Sequence, residues 1–236
     1  MNKESKTVII TGSSSGVGAA SAIEFAKRGW NVVVNYSKSK NNALEVVNAC
    51  ESLGVKTLLC KANVAIEDDC KRMVADTINT FGRIDALINN AGATKFCDYG
   101  NLEGLTKKDF QDLYEVNVIG AYQMVKLSAD YLKESQGAIV NISSISAISG
   151  VGSSIAYSAS KGALSTMTLS LAHAFSPDVR VNGICPGFIQ TRWTKGFLGE
   201  RYESVKGKIE KASLVNKTSL PEDIAKGVVY LAVDAL

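Results

Sequence analysis

The stretch TVIITGSSSGVG, Thr7 to Gly18, is a β-branched apolar run that breaks at a glycine- and serine-rich turn and passes at once into a helical pattern. Glycines at 12, 16 and 18 let the backbone turn tightly, come close to a ligand and pack the helix against the strand. The helix start adds unpaired N–H groups and the positive end of its dipole, which suit a phosphate. Standing between a first strand and a first helix, such a turn points to a pyrophosphate, and so to a dinucleotide.

Outward from this turn the pattern repeats. Strands are expected at 7–12, 31–36, 56–62, 85–90, 137–144 and 179–187, most of them apolar on both faces, as parallel strands covered by helices are. Helices are expected near 16–29, 40–53, 67–81, 106–134 and 154–175, and a last one from Pro221, because proline is favoured at a first helical position. Parallel strands joined by right-handed helical crossovers give a doubly wound α/β sheet. No linker, repeat or composition shift divides residues 1–236, so one domain is expected. The segment 192–217 stands apart, mixing Trp193, Phe197 and Leu198 with seven basic and three acidic residues, an excess that could attract an anionic substrate or an acidic carrier protein, although a solvated lid helix is the safer reading.

Composition narrows the partners. A net charge of +3, with no basic run interleaved with aromatics, argues against nucleic acid and for a small molecule. MNKESK leads straight into the first strand, with no signal-type or membrane-length apolar run, so a cytoplasmic protein without a membrane partner is expected. Cys50, Cys60, Cys70, Cys97 and Cys185 form no CxxC pair and read as free thiols; His173 is the single histidine, so no metal is expected.

YSASK, Tyr157 to Lys161, places a phenol and an ammonium on one helix face, but Tyr36 with Lys40, Tyr122 with Lys126 and Tyr202 with Lys206 share that spacing. Ligands of open parallel sheets bind at the carboxyl ends of strands, and Tyr157 alone follows such an end with a hydroxyl, Ser144, 13 residues before it. Lowering a phenol from about 10 to between 7 and 8 takes roughly 3 to 4 kcal/mol. A lysine about 4 Å away supplies about 4 kcal/mol at an effective dielectric of 20, so Lys161 is expected to lower the Tyr157 pKa. Ser144 is expected to hold a substrate oxygen toward Tyr157 as charge develops there.

The glycine spacing is GxxxGxG and not GxGxxG. With Thr11-Gly12 at its head, Asn89-Asn90-Ala91-Gly92, Asn117, Ser144, Tyr157 with Lys161, and Pro186-Gly187, the chain resembles the classical short-chain dehydrogenase/reductase family from about Val8 onward. The resemblance implies a Rossmann-type sheet of order 3-2-1-4-5-6 and hydride transfer between a nicotinamide and a carbonyl or secondary alcohol. Asn117, Ser144, Tyr157 and Lys161 are then the catalytic set, Lys161 also binding the nicotinamide ribose and Asn117 holding a water that links the lysine to solvent. The cofactor would lie along Gly12, Ser14, Ser15, Gly16, Val17 and Gly18, then Tyr36, Ser37 and Lys38. It would continue past Asn63 and Val64 at the adenine and Asn89, Ala91 and Gly92 at the adenosine ribose. Pro186, Gly187, Ile189 and Thr191 would sit at the carboxamide end. A catalytically silent dinucleotide-binding or scaffold protein on the same fold is the alternative, opposed by the intact Ser, Tyr and Lys.

After the second strand the chain reads Asn35-Tyr36-Ser37-Lys38, with no acid to meet a ribose 2'-hydroxyl and repel a 2'-phosphate, which favours NADP and leaves NAD possible. The resemblance is nearest to 3-oxoacyl-acyl carrier protein reductases and to sugar and polyol dehydrogenases, with 192–217 closing the substrate pocket. LKESQGAIV, with Lys133 alone, lacks the basic cluster those reductases tend to carry before the fifth strand. In the family one more strand usually follows the pattern VVYLAVDAL, and the sequence stops at Leu236. A sheet without that seventh strand is therefore expected, with an exposed edge. The homodimer or homotetramer implied by the resemblance would then rest on fewer contacts.

Overall fold

The computed structural model describes residues 5–235, so Met1–Glu4 of the opening MNKESK and Leu236 lie outside the described residues. Six strands, β1 (Thr7–Ile10), β2 (Asn31–Tyr36), β3 (Thr57–Lys61), β4 (Ala86–Asn89), β5 (Ala138–Ile142) and β6 (Arg180–Ile184), form one sheet in the order β3-β2-β1-β4-β5-β6. Every neighbouring pair is parallel. This is the order expected, and among the described residues β3 and β6 are its edges.

Helices α1 (Gly16–Lys27), α2 (Lys40–Glu51), α3 (Glu67–Phe81), α4 (Lys107–Tyr114) and α5 (Gly120–Glu134) precede β5. After it come the short α6 (Ser146–Ser149), the long α7 (Ile155–Phe175), then α8 (Arg192–Leu198), α9 (Tyr202–Ala212) and α10 (Pro221–Val229). Successive strand side chains point to opposite faces, so each strand feeds two cores. Val8, Ile10, Val34 and Val140 pack with Phe25 of α1, Val46 of α2 and Val228 of α10. Ile9, Val33, Leu87 and Ile139 pack with Met73 of α3, Met124 of α5 and Leu171 of α7. Each large side chain fully buried this way contributes about 1.5 to 3 kcal/mol. Apolar runs without alternation are the sequence cause of this double covering. β1, β2, β4 and β5 are buried throughout, whereas the edge strands β3 and β6 are partly open.

Two departures concern the site. The helix expected over 106–134 begins at a Thr106–Asp109 capping box and is interrupted by a π-helical turn, Glu115–Ile119, that contains Asn117. An extra residue in that turn rotates the side chains after it, and such turns are common at functional positions. The segment 192–217 is α8 and α9; Thr191 caps α8, its Oγ1 accepting from the Thr194 N–H at 3.1 Å.

Candidate active site

The glycine turn closes β1 with the geometry its residues permit. Gly12 and Gly16 have φ of +63° and +56°, in the region other residues avoid. A methyl group on Gly12 would come within 2.9 Å of Ala91 Cα, and one on Gly18 within 2.5 Å of Asn90 Nδ2 and 2.7 Å of Gly12 O. The turn is laced to its neighbours by residues whose part in it is invisible in sequence. Gly12 N–H donates to Asn35 Oδ1 (2.8 Å), Asn35 N–H donates to Ser13 Oγ (2.9 Å), and Asn35 Nδ2 donates to Ala62 O (3.0 Å). Asn90 Nδ2 donates to Thr11 O and Gly12 O at 2.9 and 3.0 Å, while Thr11 Oγ1 accepts from the N–H groups of Asn90 and Ala91, both at 3.0 Å.

The remaining cofactor candidates lie at the same carboxyl edge with different exposure. Tyr36 is buried at the end of β2, and Ser37 and Lys38 are exposed beyond it. Asn63 is exposed, its N–H donating to Asp69 Oδ2 at 2.8 Å, and this bond is the main reason the Asp69 carboxyl lies below its ordinary pKa. Val64 is buried where α5 begins, 2.8 Å from a methyl group placed on Gly120. Asn89 is turned away from the glycine turn: its Nδ2 donates to Asn141 Oδ1 of β5 at 2.9 Å, and Asn141 Nδ2 in turn donates to Thr168 Oγ1 of α7 at 2.8 Å. Pro186 O accepts from the Ile145 N–H at 2.9 Å, bringing the loop after β6 to Ser144. Gly187 is exposed, Ile189 bridges to Ser219, and Thr191 Cγ2 lies 3.4 Å from a methyl group placed on Gly16. A cleft of about 270 Å³ at the start of α1 is lined by Ser14, Ser15, Gly16, Thr191, Arg192 and Pro221 together with residues of α2.

Ser144, Tyr157 and Lys161 meet at the end of β5. Ser144 lies beside Tyr157, close enough for its hydroxyl to lower the phenol pKa. Lys161 is 4% exposed, and its Nζ donates to Ile142 O at 2.8 Å. Asn117 is clamped by Ala93, accepting from its N–H (2.8 Å) and donating to its carbonyl (3.0 Å), and it also donates to Ser160 Oγ (2.9 Å). A methyl group on Gly92 would lie 3.5 Å from Asn117 Oδ1 and 3.7 Å from Lys161 Nζ, so Gly92, Asn117 and Lys161 lie together. Ser143 adds a second tie between β5 and α7, its hydroxyl donating to Lys161 O at 3.0 Å.

Burial separates the four tyrosine and lysine pairs. Lys40 is exposed, Lys126 and Lys206 approach Glu67 and Glu210 at 3.6 and 3.8 Å, and Lys161 is the buried one. Tyr122 is 50% exposed, hence no core residue, whereas Tyr202 is buried against Phe188. The electrostatics differ from expectation. Lys161 Nζ lies 5.9 Å from the centre of the Tyr157 ring and points its bond at Ile142, and burial raises the phenol pKa, offset in part by the Ser144 hydroxyl. Burial also lowers the Lys161 ammonium from 10.5 to about 8, Cys185 opposing slightly. Desolvation therefore outweighs the attraction expected between the two groups.

The five cysteines are free thiols, and burial pushes Cys50, Cys60 and Cys70 up to about 11. His173 is exposed, and among the described residues no helix is long and apolar enough to cross a membrane.

The residues fit a dinucleotide. The first turn of α1 is not capped by the Ser15 side chain, which leaves N–H donors at a helix start beside a turn too tight for any Cβ at Gly12 or Gly18. A parallel sheet of this order with that turn at its centre defines a dinucleotide-binding α/β protein. A model of the short chain dehydrogenase family matches residues 6–200. The ketoacyl reductase 2 assigned to the granaticin polyketide synthase of Streptomyces violaceoruber is 33% identical over 229 residues, covering 97% of this chain and 90% of that protein. The 3-oxoacyl-[acyl-carrier-protein] reductase FabG of Staphylococcus aureus is 33% identical over 234 residues, covering 98% and 92%. A solved chain from Burkholderia xenovorans, described as a short-chain dehydrogenase/reductase, superposes with a TM-score of 0.91 at 34% identity, covering 99% of this chain and 93% of that one. The chain belongs to the short-chain dehydrogenase family, whose members use NAD(P), and is an oxidoreductase acting on a CH–OH group.

Proposed function

We propose that the chain is an NADP-dependent carbonyl reductase in which Tyr157 exchanges a proton with the substrate oxygen. The observation that carries this reading is the placing of Ser144 beside the Tyr157 phenol at the end of β5, with the buried Lys161 Nζ 5.9 Å from the centre of the Tyr157 ring. The nicotinamide dinucleotide supplies or accepts the hydride. Ser144 orients the carbonyl oxygen by hydrogen bonding, and Tyr157 donates its proton there as negative charge develops. A phenol held above its ordinary pKa stays protonated near neutrality, the form that reduction uses. Lys161 and Asn117 are held beside Gly92, where they would receive the nicotinamide ribose, Lys161 by its bond to Ile142 O and Asn117 by its bonds to Ala93.

NADP is favoured over NAD because the end of β2 presents Ser37 and Lys38 to solvent and no carboxylate. The ketoacyl and 3-oxoacyl reductases among its relatives support a ketone next to an acyl chain as substrate. Exposed Ile119, Tyr122 and Leu169, on or beside α5 and α7, support a homodimer or homotetramer, and five free thiols support a cytoplasmic setting.

A panel of ketones, acyl thioesters and sugars followed by nicotinamide absorbance identifies a working substrate. On it, Tyr157→Phe is expected to lower kcat by about 100-fold or more, as loss of a general acid does. NADPH affinity should stay within about twofold, since the ring remains in place. Near-normal turnover by the variant would overturn the assignment.

A further inference from the structure

The cleft of about 270 Å³ at the start of α1 is bordered by three parts of the chain. The glycine turn gives Ser14, Ser15 and Gly16, α2 gives Asn42 and Glu45, and the start of α8 gives Arg192. Deeper in the turn the polar side chains are engaged, as those of Ser13, Asn35 and Asn90 are, and at the rim Gln190 donates to Thr218 Oγ1 at 3.0 Å. Around the cleft they are not. Among the described residues, the side chains of Ser14, Ser15, Asn42, Glu45 and Arg192 make no hydrogen bond and no ion pair.

Arg192 is carried to this place by its neighbour. Thr191 lies against the turn, its Cγ2 3.4 Å from a methyl group placed on Gly16, and its bond from the Thr194 N–H fixes where the chain enters α8. Gly16 in turn opens α1, whose first turn carries no acid and takes no bond from the Ser15 side chain. A guanidinium beside such a helix start matches a phosphate twice over, by charge and by the fork of its N–H groups. Glu45 is the one acid among the residues that line the cleft, and it stands unpaired although Arg192 shares the cleft with it. An exposed ion pair between them would be worth little, whereas a charge-assisted fork on a diphosphate is among the stronger hydrogen bonds.

We propose that Arg192 binds the diphosphate of the nicotinamide dinucleotide from the α8 side of the cleft, and that Glu45 opposes this binding from the α2 side. This rests on the reading of the glycine turn as the seat of the dinucleotide, and adds to it a cation that lies outside the glycine pattern. The diphosphate is common to NADP and NAD, so Arg192 sets the affinity for both, while the exposed Ser37 and Lys38 beyond β2 bear on the choice between them. It also makes the first residue of α8 a ligand of the cofactor, which ties the segment 192–217 to the bound dinucleotide.

The test titrates NADPH, NADH and ADP with no carbonyl present, reading the emission of the reduced nicotinamides and its displacement by ADP. Arg192→Gln is expected to raise the Kd of all three by about 10-fold, as loss of a charge-assisted fork does. Arg192→Lys should recover part of this, because it keeps the charge and not the fork. Glu45→Gln should tighten all three by about twofold, since it removes a charge of the same sign as the diphosphate. Arg192 is exposed and makes no bond, so the unliganded Tm of its variants should stay close to that of the wild type. Lys208→Gln removes an exposed charge of α9 that does not line the cleft and should leave each Kd unchanged. An unchanged Kd in Arg192→Gln, or an equal loss in Lys208→Gln, would overturn the proposal while leaving the cofactor site intact. A loss confined to NADPH would move the guanidinium to the 2'-phosphate and overturn its assignment to the diphosphate. Weaker binding in Glu45→Gln, with no further loss when Arg192→Gln is added, would make the two residues a strap across the cleft and overturn the opposition assigned to Glu45. No binding of NADPH, NADH or ADP to the wild type would instead sink the dinucleotide reading itself.

Discussion

Lys161 shows at the scale of one residue what burial does to a cation. Its ammonium, 4% exposed and bonded to Ile142 O, is lowered from 10.5 to about 8 because the surrounding protein solvates charge poorly. Below about pH 8 both the folded and the unfolded chain hold the proton, and folding carries the full burial penalty, about 3 kcal/mol. Between about 8 and 10.5 the unfolded chain binds more protons than the folded one, so stability rises with pH across that window and levels off above it. Lys161→Met keeps the stem and removes the titration. Urea unfolding of both proteins should show the wild type gaining about 2 kcal/mol on the variant from pH 8 to pH 10, and parallel curves would refute the shift. Sequence alone did not reveal this behaviour. The YxxxK spacing that marks Lys161 occurs at four tyrosines, and what sets Lys161 apart is its burial, which depends on the end of β5, the π-helical turn and α7 meeting in space.

Elements of regular structure were legible because their cause is local. The unbroken apolar runs of β1, β2, β4 and β5 required helices on both faces, and the glycine turn placed α1. What escaped has its cause elsewhere in the chain. Asn35 reads in sequence as a neighbour of the ribose, yet its side chain ties the glycine turn to the strand after next, through Gly12 and Ala62. Tyr99 carried no signal at all, and it fastens a loop to the helix of Tyr157: Ser154 Oγ caps α7 by accepting from Tyr157 N–H at 3.2 Å, and the Tyr99 hydroxyl grips Gly152 and Ser158 on either side of that cap. Tyr99→Phe removes the hydroxyl and keeps the ring. Because water can replace a partner at this half-open position, stability should fall by only about 0.5 to 1.5 kcal/mol. Misplacing the helix start should cost more in turnover, about 10-fold in kcat with NADPH affinity unchanged. A variant with normal kcat and a large drop in Tm would make Tyr99 a structural residue only.

For the whole molecule, the decisive fact is that every strand points its carboxyl end at one edge, so a dinucleotide lying there touches elements that pack on opposite faces of the sheet. At its centre the glycine turn of β1 is braced by Asn35 from β2 and Asn90 after β4, and Thr191 of the α8 start lies against Gly16. A ligand held by so many elements binds the folded state and has no counterpart in the unfolded chain. It stabilises by RT ln(1 + [L]/Kd), about 2.7 kcal/mol at 100 times Kd, worth roughly 5 to 10 °C in Tm for a domain of this size. The 2'-phosphate is the only group that separates the two cofactors, so the difference between their shifts isolates the end of β2. NADP should raise Tm more than NAD at equal concentration, and Lys38→Glu should reverse that order, because a carboxylate there repels a phosphate and accepts a hydrogen bond from a ribose hydroxyl. Melting of the wild type and the variant with each cofactor checks this directly. A larger shift with NAD in the wild type would assign the chain to NAD and leave Ser37 and Lys38 as ordinary exposed residues.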